Sequence, residues 1–268
     1  MLRIHENSFT TIGSVSYRDL SRTGEVGRKS APVMRARVAG LPSAVAGIVV
    51  LADLQGSGGT RATPRLPVFD ALDDLIALDE LAAIPPLQSM IVVSAGDLYA
   101  HLDLHKRGGS GDVRECWLAL AKHFRACVGV AGNHDRFGES EGEHDAFSRR
   151  DGICLLENST AEVDGIRFAG ICGVIGDPER RPFRHTERDF HAAIDMLVQS
   201  RPDMLVMHEG PVENTEHKFA SPGIRTRCAR LSGGIVAYGH NATPTVFEAV
   251  DGGAQFLSVH ERIVVLTQ

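Results

Sequence analysis

Five short apolar runs, each closed by a glycine or by a residue able to ligate a metal, constrain the fold of this chain most. They are Gly47–Ala52, Met90–Ala95, Val128–Ala131, Asp203–Met207 and Gly234–Tyr238. A continuous apolar run of this length suits a strand buried on both faces, as in sheets covered by helices. The third run stops at Gly132, and Asn133, His134 and Asp135 follow at once. Open α/β sheets build their sites outside the carboxyl ends of such strands. Between the runs lie helical patterns. Leu66–Leu81 carries apolar residues at helical spacing and stops at Pro85-Pro86. Asp112 is placed to cap a helix reaching Phe124, and Thr186 to cap one over Glu187–Ser200. Ile153–Leu156 and Ile166–Cys172 read as strands, with Asp164-Gly165 as a hairpin turn between them.

The 268 residues contain no repeat and no low-complexity linker, so one domain over 1–268 is expected. Residues 46–268 form its core, and 1–45 an N-terminal extension packed on the sheet, with Val33–Val38 alternating like an edge strand. A net charge of −6 argues against a generic nucleic-acid or membrane-surface binder, which needs a basic face. The longest apolar run, Ala44–Ala52, is too short to span a bilayer, and the first residues lack the apolar core of a secretory signal. The five cysteines are scattered and never form a Cys-x-x-Cys pair, which fits buried thiols in a reducing cytoplasm.

The five strand ends carry Asp53-x-Gln55, Asp97, Asn133-His134-Asp135, His208 and His240. If they meet at one edge, two carboxylates, an amide and two imidazoles make a mixed oxygen and nitrogen site. Such a set suits Mn²⁺, Fe, Zn²⁺ or Mg²⁺ rather than a thiolate-loving metal. His134 is not needed as a ligand and is a candidate general acid, with Asp135 beside it as orienting partner. Arg136, His101 and Arg184 are candidate substrate contacts, Arg184 within a basic loop that includes Arg180 and Arg181. The glycine-rich segments Gly56–Gly59 and Gly108–Gly111 lack the spacing and the Lys-Ser/Thr of a P-loop.

In their order these motifs resemble the calcineurin-like metallophosphoesterase superfamily, over about residues 47–267. The resemblance implies a four-layer α/β/β/α sandwich of two mixed sheets with a dinuclear centre at their edge. It also implies one ion held by Asp97, Asn133, His208 and His240, and another by Asp53, the residue at position 55, Asp97 and the residue at position 242. The implied activity is hydrolysis of a phosphodiester, nucleotide or phosphomonoester by metal-activated water.

Two positions depart from the family pattern, and both remove imidazoles from the same ion. Gln55 and Ala242 stand where histidines are expected. The amide of Gln55 still offers an oxygen, whereas Ala242 offers nothing. One tight and one weakened, oxygen-rich site are expected, with Mn²⁺ as the favoured ion. For His260, on the terminal hairpin, a bland reading is preferred over a replacement ligand. The same departures motivate an alternative function, a weakly active metal-binding scaffold for a protein partner.

Overall fold

The computed structural model describes residues 1–21, 23–106, 108–179, 183–211 and 221–268. Seven strands, β1 (Arg3–Ile4), β2 (Thr10–Leu20), β3 (Val26–Ala39), β4 (Gly47–Ala52), β5 (Met90–Ser94), β6 (Ala126–Gly129) and β7 (Ile153–Leu155), enter the first sheet. Six more, β8 (Ser159–Val163), β9 (Ile166–Ile171), β10 (Met204–Glu209), β11 (Ile235–Gly239), β12 (Phe247–Ala249) and β13 (Gln255–Ser258), build the second. The last strand, β14 (Arg262–Thr267), returns to the first sheet between β3 and β4. Strands β4 to β7 run parallel, as do β9, β10, β11 and β13, so their carboxyl ends point the same way within each sheet.

Alternation along the second sheet shows how the layers stack. Phe168, Met204, Val206, Ile235, Ala237 and Leu257 share a core with the first sheet. Their neighbours Ala169, Leu205, Met207, Val236 and Phe256 pack instead with Phe190, Ile194 and Leu197 of a helix over Glu187–Gln199, and with Ile224 of Pro222–Cys228. Residues of the helices Pro67–Glu80 and Arg114–His123 join the core of the first sheet. The result is the expected α/β/β/α sandwich of two mixed sheets. Both faces of β4 and β5 are buried, which is why these runs are apolar without interruption.

Some local expectations are corrected. The strand Val33–Val38 is not an edge. It lies within β3, which pairs β14 on one side and the long β2 on the other. Its alternation reflects local burial, Ala31 and Val33 on one face and Ala36 and Val38 on the other, and says nothing of its place in the sheet. The first 39 residues thus contribute hydrogen-bonded strands to the sheet. The Asp164-Gly165 turn, with φ of 50° and 80°, joins β8 to β9, so a strand over Ser159–Val163 lies between the two expected ones. The second helix begins at Arg114, not Asp112, though the Asp112 carboxylate still accepts the Arg114 amide at 2.9 Å.

On the short helix Glu141–Ser148, His144 Nε2 lies 2.7 Å from Glu157. That hydrogen bond raises the histidine pKa, with burial working against it. A histidine raised on folding stabilises the native state below its unfolded pKa of about 6.5, and the gain is lost as pH rises through the folded value. Glu157→Gln is therefore expected to cost a few tenths of a kcal/mol at about pH 6 and nothing near pH 9, read by urea unfolding.

Candidate metal centre

Three of the apolar strands exit into a conformation that few residues adopt. Asp53, Asp97 and His240 follow β4, β5 and β11 with φ of 57°, 56° and 60°. Left-handed backbone at non-glycine residues costs free energy and gathers at functional sites. Here it turns three side chains able to ligate a metal back over the sheet edge. The Asp97 and Asn133 turns also interlock. A Cβ on Gly132 would fall 2.0 Å from Asp97 Oδ1, and one on Gly96 would fall 2.4 Å from the Gly132 nitrogen. Only glycine permits that approach.

Atoms of Asp97, His208 and His240 able to ligate an ion lie within 4.8 Å of one another. His208 is fully buried at the end of β10, with Nδ1 2.7 Å from the Ala95 carbonyl, to which it donates. Its Nε2 is then directed to Asp97 Oδ2 at 3.3 Å. Burial opposes charge on this ring, but Asp97 outweighs it and pushes the pKa up to about 10. Burial likewise works against ionised Asp97, yet His208 holds the carboxyl well below the usual carboxylate range. His240, its ring 5.0 Å from that of His208, is pushed down to about 4 by burial and then by His208, so it is neutral. Asp53 Oδ2 accepts the His240 amide at 2.8 Å, tying the ends of β4 and β11 together.

These residues fit a divalent cation. Among the described residues, the buried side-chain nitrogens and oxygens without a hydrogen-bond partner include Asn133 Oδ1, His208 Nε2 and His260 Nδ1. Buried polar atoms are normally paired. Three orphans beside Asp97 and Asp53 are what a site shaped for an ion leaves behind. The expected ligands of one ion, Asp97, Asn133, His208 and His240, thus stand together at one edge. For the other ion, Asp53 is in place. Gln55 donates Nε2 to the Tyr99 carbonyl at 3.2 Å, which leaves its oxygen as the available ligand. Ala242 is exposed and brings no donor.

The residues around the centre divide. His134 and His101 line a cleft of about 250 Å³ with Gln55, Tyr99 and Lys106. Lys29, Asp19 and Glu261 complete its wall, an assignment no motif signalled. The orienting partner expected for His134 is corrected. Its Nδ1 donates to the Gly109 carbonyl at 2.9 Å, leaving Nε2 for proton transfer. The Asp135 carboxylate is taken up by backbone amides, those of Asp97, Leu98, Tyr99 and Gly132, at 2.8 to 3.3 Å. Burial, and then the charge of Asp97, push its carboxyl up to about 6, with the amides of Gly132 and Leu98 pulling back towards the ionised form. Neither Arg136 nor Arg184 lines the cleft. Arg136 is exposed and borders a separate cavity with Phe137 and Phe183. Arg184 pairs through its backbone with Val174, and its charge acts on buried Glu209, whose carboxyl burial pushes up to about 7. Arg180 and Arg181 lie outside the described residues. His101 also groups with Asp103 and His105, but His105 Nδ1 is already engaged by Asp103 on an exposed loop.

Two facing mixed sheets with carboxylates, an amide and imidazoles at a common edge define a metal-binding α/β sandwich. A sequence model of calcineurin-like phosphoesterases matches residues 47–244, and the chain belongs to that family. Membership supports metal-dependent phosphoester hydrolysis in general terms. No curated protein is similar enough to match. Among solved structures, TT1561 of Thermus thermophilus is similar over 81% of this chain and 89% of that one, at 13% identity and a TM-score of 0.52. The sulfate thiohydrolase SoxB of Thermus thermophilus, solved with glycerol, is similar over 82% of this chain, at 14% identity and a TM-score of 0.42. The similarity covers 53% of SoxB, so this chain spans about half its length. The first of these likenesses supports the fold. Among the described residues, no helix is long and apolar enough to cross a membrane.

Proposed function

We propose that this chain hydrolyses a small phosphorylated substrate, a phosphodiester, nucleotide or phosphomonoester, at a divalent metal centre. The observation that carries the reading is the convergence of Asp97, His208 and His240 beside the unpartnered Asn133 oxygen. When bound, divalent ions supply Lewis-acid polarisation of the phosphoryl group and activation of the attacking water. Asp97, Asn133, His208 and His240 would hold the tighter ion. Asp53, Gln55 and Asp97 would hold a weaker one whose oxygen-rich ligands favour Mn²⁺ over Fe or Zn²⁺.

In this reading the protein's own groups position and protonate. The Gly109 carbonyl fixes the His134 ring, so that Nε2 gives a proton to the leaving oxygen. Of the lysines lining the cleft, Lys29 is engaged by Asp19 and Glu261, which leaves Lys106 as the cation able to meet a phosphate. Free cysteines, four of the five buried, and a net charge of −6 accord with a cytoplasmic enzyme acting on small molecules. The scaffold reading has one observation in its favour, the exposed Ala242 without a donor.

The test is turnover of p-nitrophenyl phosphate and bis-p-nitrophenyl phosphate with Mn²⁺, and again after chelation. His134→Gln is expected to slow turnover by about 10² or more while Mn²⁺ content stays the same. If neither substrate turns over faster with Mn²⁺ than with chelator, the scaffold reading takes its place.

A further inference from the structure

We infer that His260 replaces the imidazole missing at position 242 and ligates the second metal ion through Nδ1, under the control of a Glu261–Lys29 pair from outside the family core. The inference rests on the metal-centre reading above, but it concerns residues that the family match, which ends at residue 244, does not include.

The position of the ring is set by backbone. His260 forms an isolated bridge with Ala52, the last residue of β4, so its side chain stands next to Asp53. Its Nδ1 lies 3.3 Å from Asp53 Oδ2, the same oxygen that accepts the His240 amide. That nitrogen is buried and has no hydrogen-bond partner. Its approach to Asp53 is close enough for an ion pair but lacks hydrogen-bond geometry, as His208 Nε2 does beside Asp97. Ala242 and His260 line the same shallow cleft, so the ring stands in the neighbourhood that the missing side chain would have filled.

The opposite edge of the ring explains why Nδ1 is the ligand. His260 Nε2 lies 3.5 Å from the Glu261 carboxylate. Glu261 is in turn held by Lys29 Nζ, which also bonds Asp19 at 3.0 Å. Carboxylates face both ring nitrogens, and an ion seated between Nδ1 and Asp53 would take the Nδ1 lone pair and leave the Nε2 proton to Glu261. Metal-bound histidines characteristically give their other N–H to a carboxylate or carbonyl. His208 shows the same arrangement with its nitrogens exchanged, Nδ1 on the Ala95 carbonyl and Nε2 towards Asp97. Lys29 comes from β3 and Glu261 from the turn before β14, adjacent strands of one sheet. The N-terminal hairpin is thereby tied to the second ion, and the ligand set becomes Asp53, Asp97, the Gln55 oxygen and one imidazole.

The experiment is a Mn²⁺ titration of the full chain followed by electron paramagnetic resonance, which counts free and bound ion without reference to activity. Wild type is expected to show two classes of site. His260→Ala should weaken the weaker class by about 10-fold or more and leave the tighter class unchanged. His260→Phe, which keeps the ring volume without a nitrogen, should give the same isotherm and covers the case in which the alanine variant does not fold. Glu261→Gln should weaken the same class by a smaller factor. Superimposable isotherms for wild type and a folded His260 variant would overturn the inference, as would a wild type with a single class. Two classes, the weaker one dependent on His260, in a chain without phosphoesterase turnover would uphold the inference and remove the function proposed above.

Discussion

Asp97→Asn is expected to lower Mn²⁺-dependent turnover by at least about 10³-fold, about 4 kcal/mol of transition-state stabilisation. Asp97 is the carboxylate of the cluster it forms with His208 and His240, and the family resemblance makes it the ligand shared by both ions. The asparagine amide keeps the shape and can still accept the His134 amide, which Oδ1 now does at 2.9 Å. What it loses is the charge. A dication next to a neutral amide in a buried site has lost its strongest electrostatic partner. The proton balance changes as well. With the carboxylate gone, burial dominates at His208 and its pKa falls from about 10, the direction opposite to the present shift. The variant should therefore hold less Mn²⁺ while folding normally, by circular dichroism and by a metal titration. Turnover within about tenfold of wild type, less than 1.4 kcal/mol, would place the chemistry elsewhere in the cleft.

How much of this is readable from the chain depends on how locally each feature is encoded. The candidate ligands at the ends of β4, β5, β10 and β11, and just beyond β6, are legible because uninterrupted apolar runs stop at them. Strand exit and ligand are a few residues apart, so one window of sequence holds both. The N-terminal hairpin is not legible to the same degree. Alternation in β3 reports local burial, and an interior strand alternates there just as an edge strand does. Asp135 misleads because adjacency in sequence is not adjacency of side chains. Its carboxylate in fact reaches back to Gly132 and across to Asp97, and the partner of His134 is a carbonyl 25 residues earlier. His260 carries no local signal at all. Only the pairing of β14 against β4, more than 200 residues apart, brings it to Asp53.

The same clasp that keeps Asp135 from orienting His134 makes its change costly to the fold. Its Oδ2 accepts from Asp97 and Gly132 and its Oδ1 from Leu98 and Tyr99. In Asp135→Asn one oxygen keeps two of these bonds. The other becomes an NH₂ group facing two amide donors, with no solvent to relieve them because the side chain is 1% exposed. Each buried donor left unpaired costs about 1–3 kcal/mol, and removing a charge that burial and Asp97 disfavour offsets part of it, so a net loss of roughly 2 kcal/mol or more is expected. That is a large share of the roughly 5–15 kcal/mol by which domains are stable. The loss should not stay in the fold. Whichever oxygen is converted, at least one released amide belongs to the turn of Asp97, Leu98 and Tyr99, in which Asp97 is left-handed. Metal affinity should fall with stability, unlike in Asp97→Asn, where only the former falls. Urea unfolding of the metal-free protein separates the two. An Asp135→Asn variant as stable as wild type would mean that the two released amides find other partners, and that the turn presenting Asp97 does not depend on them.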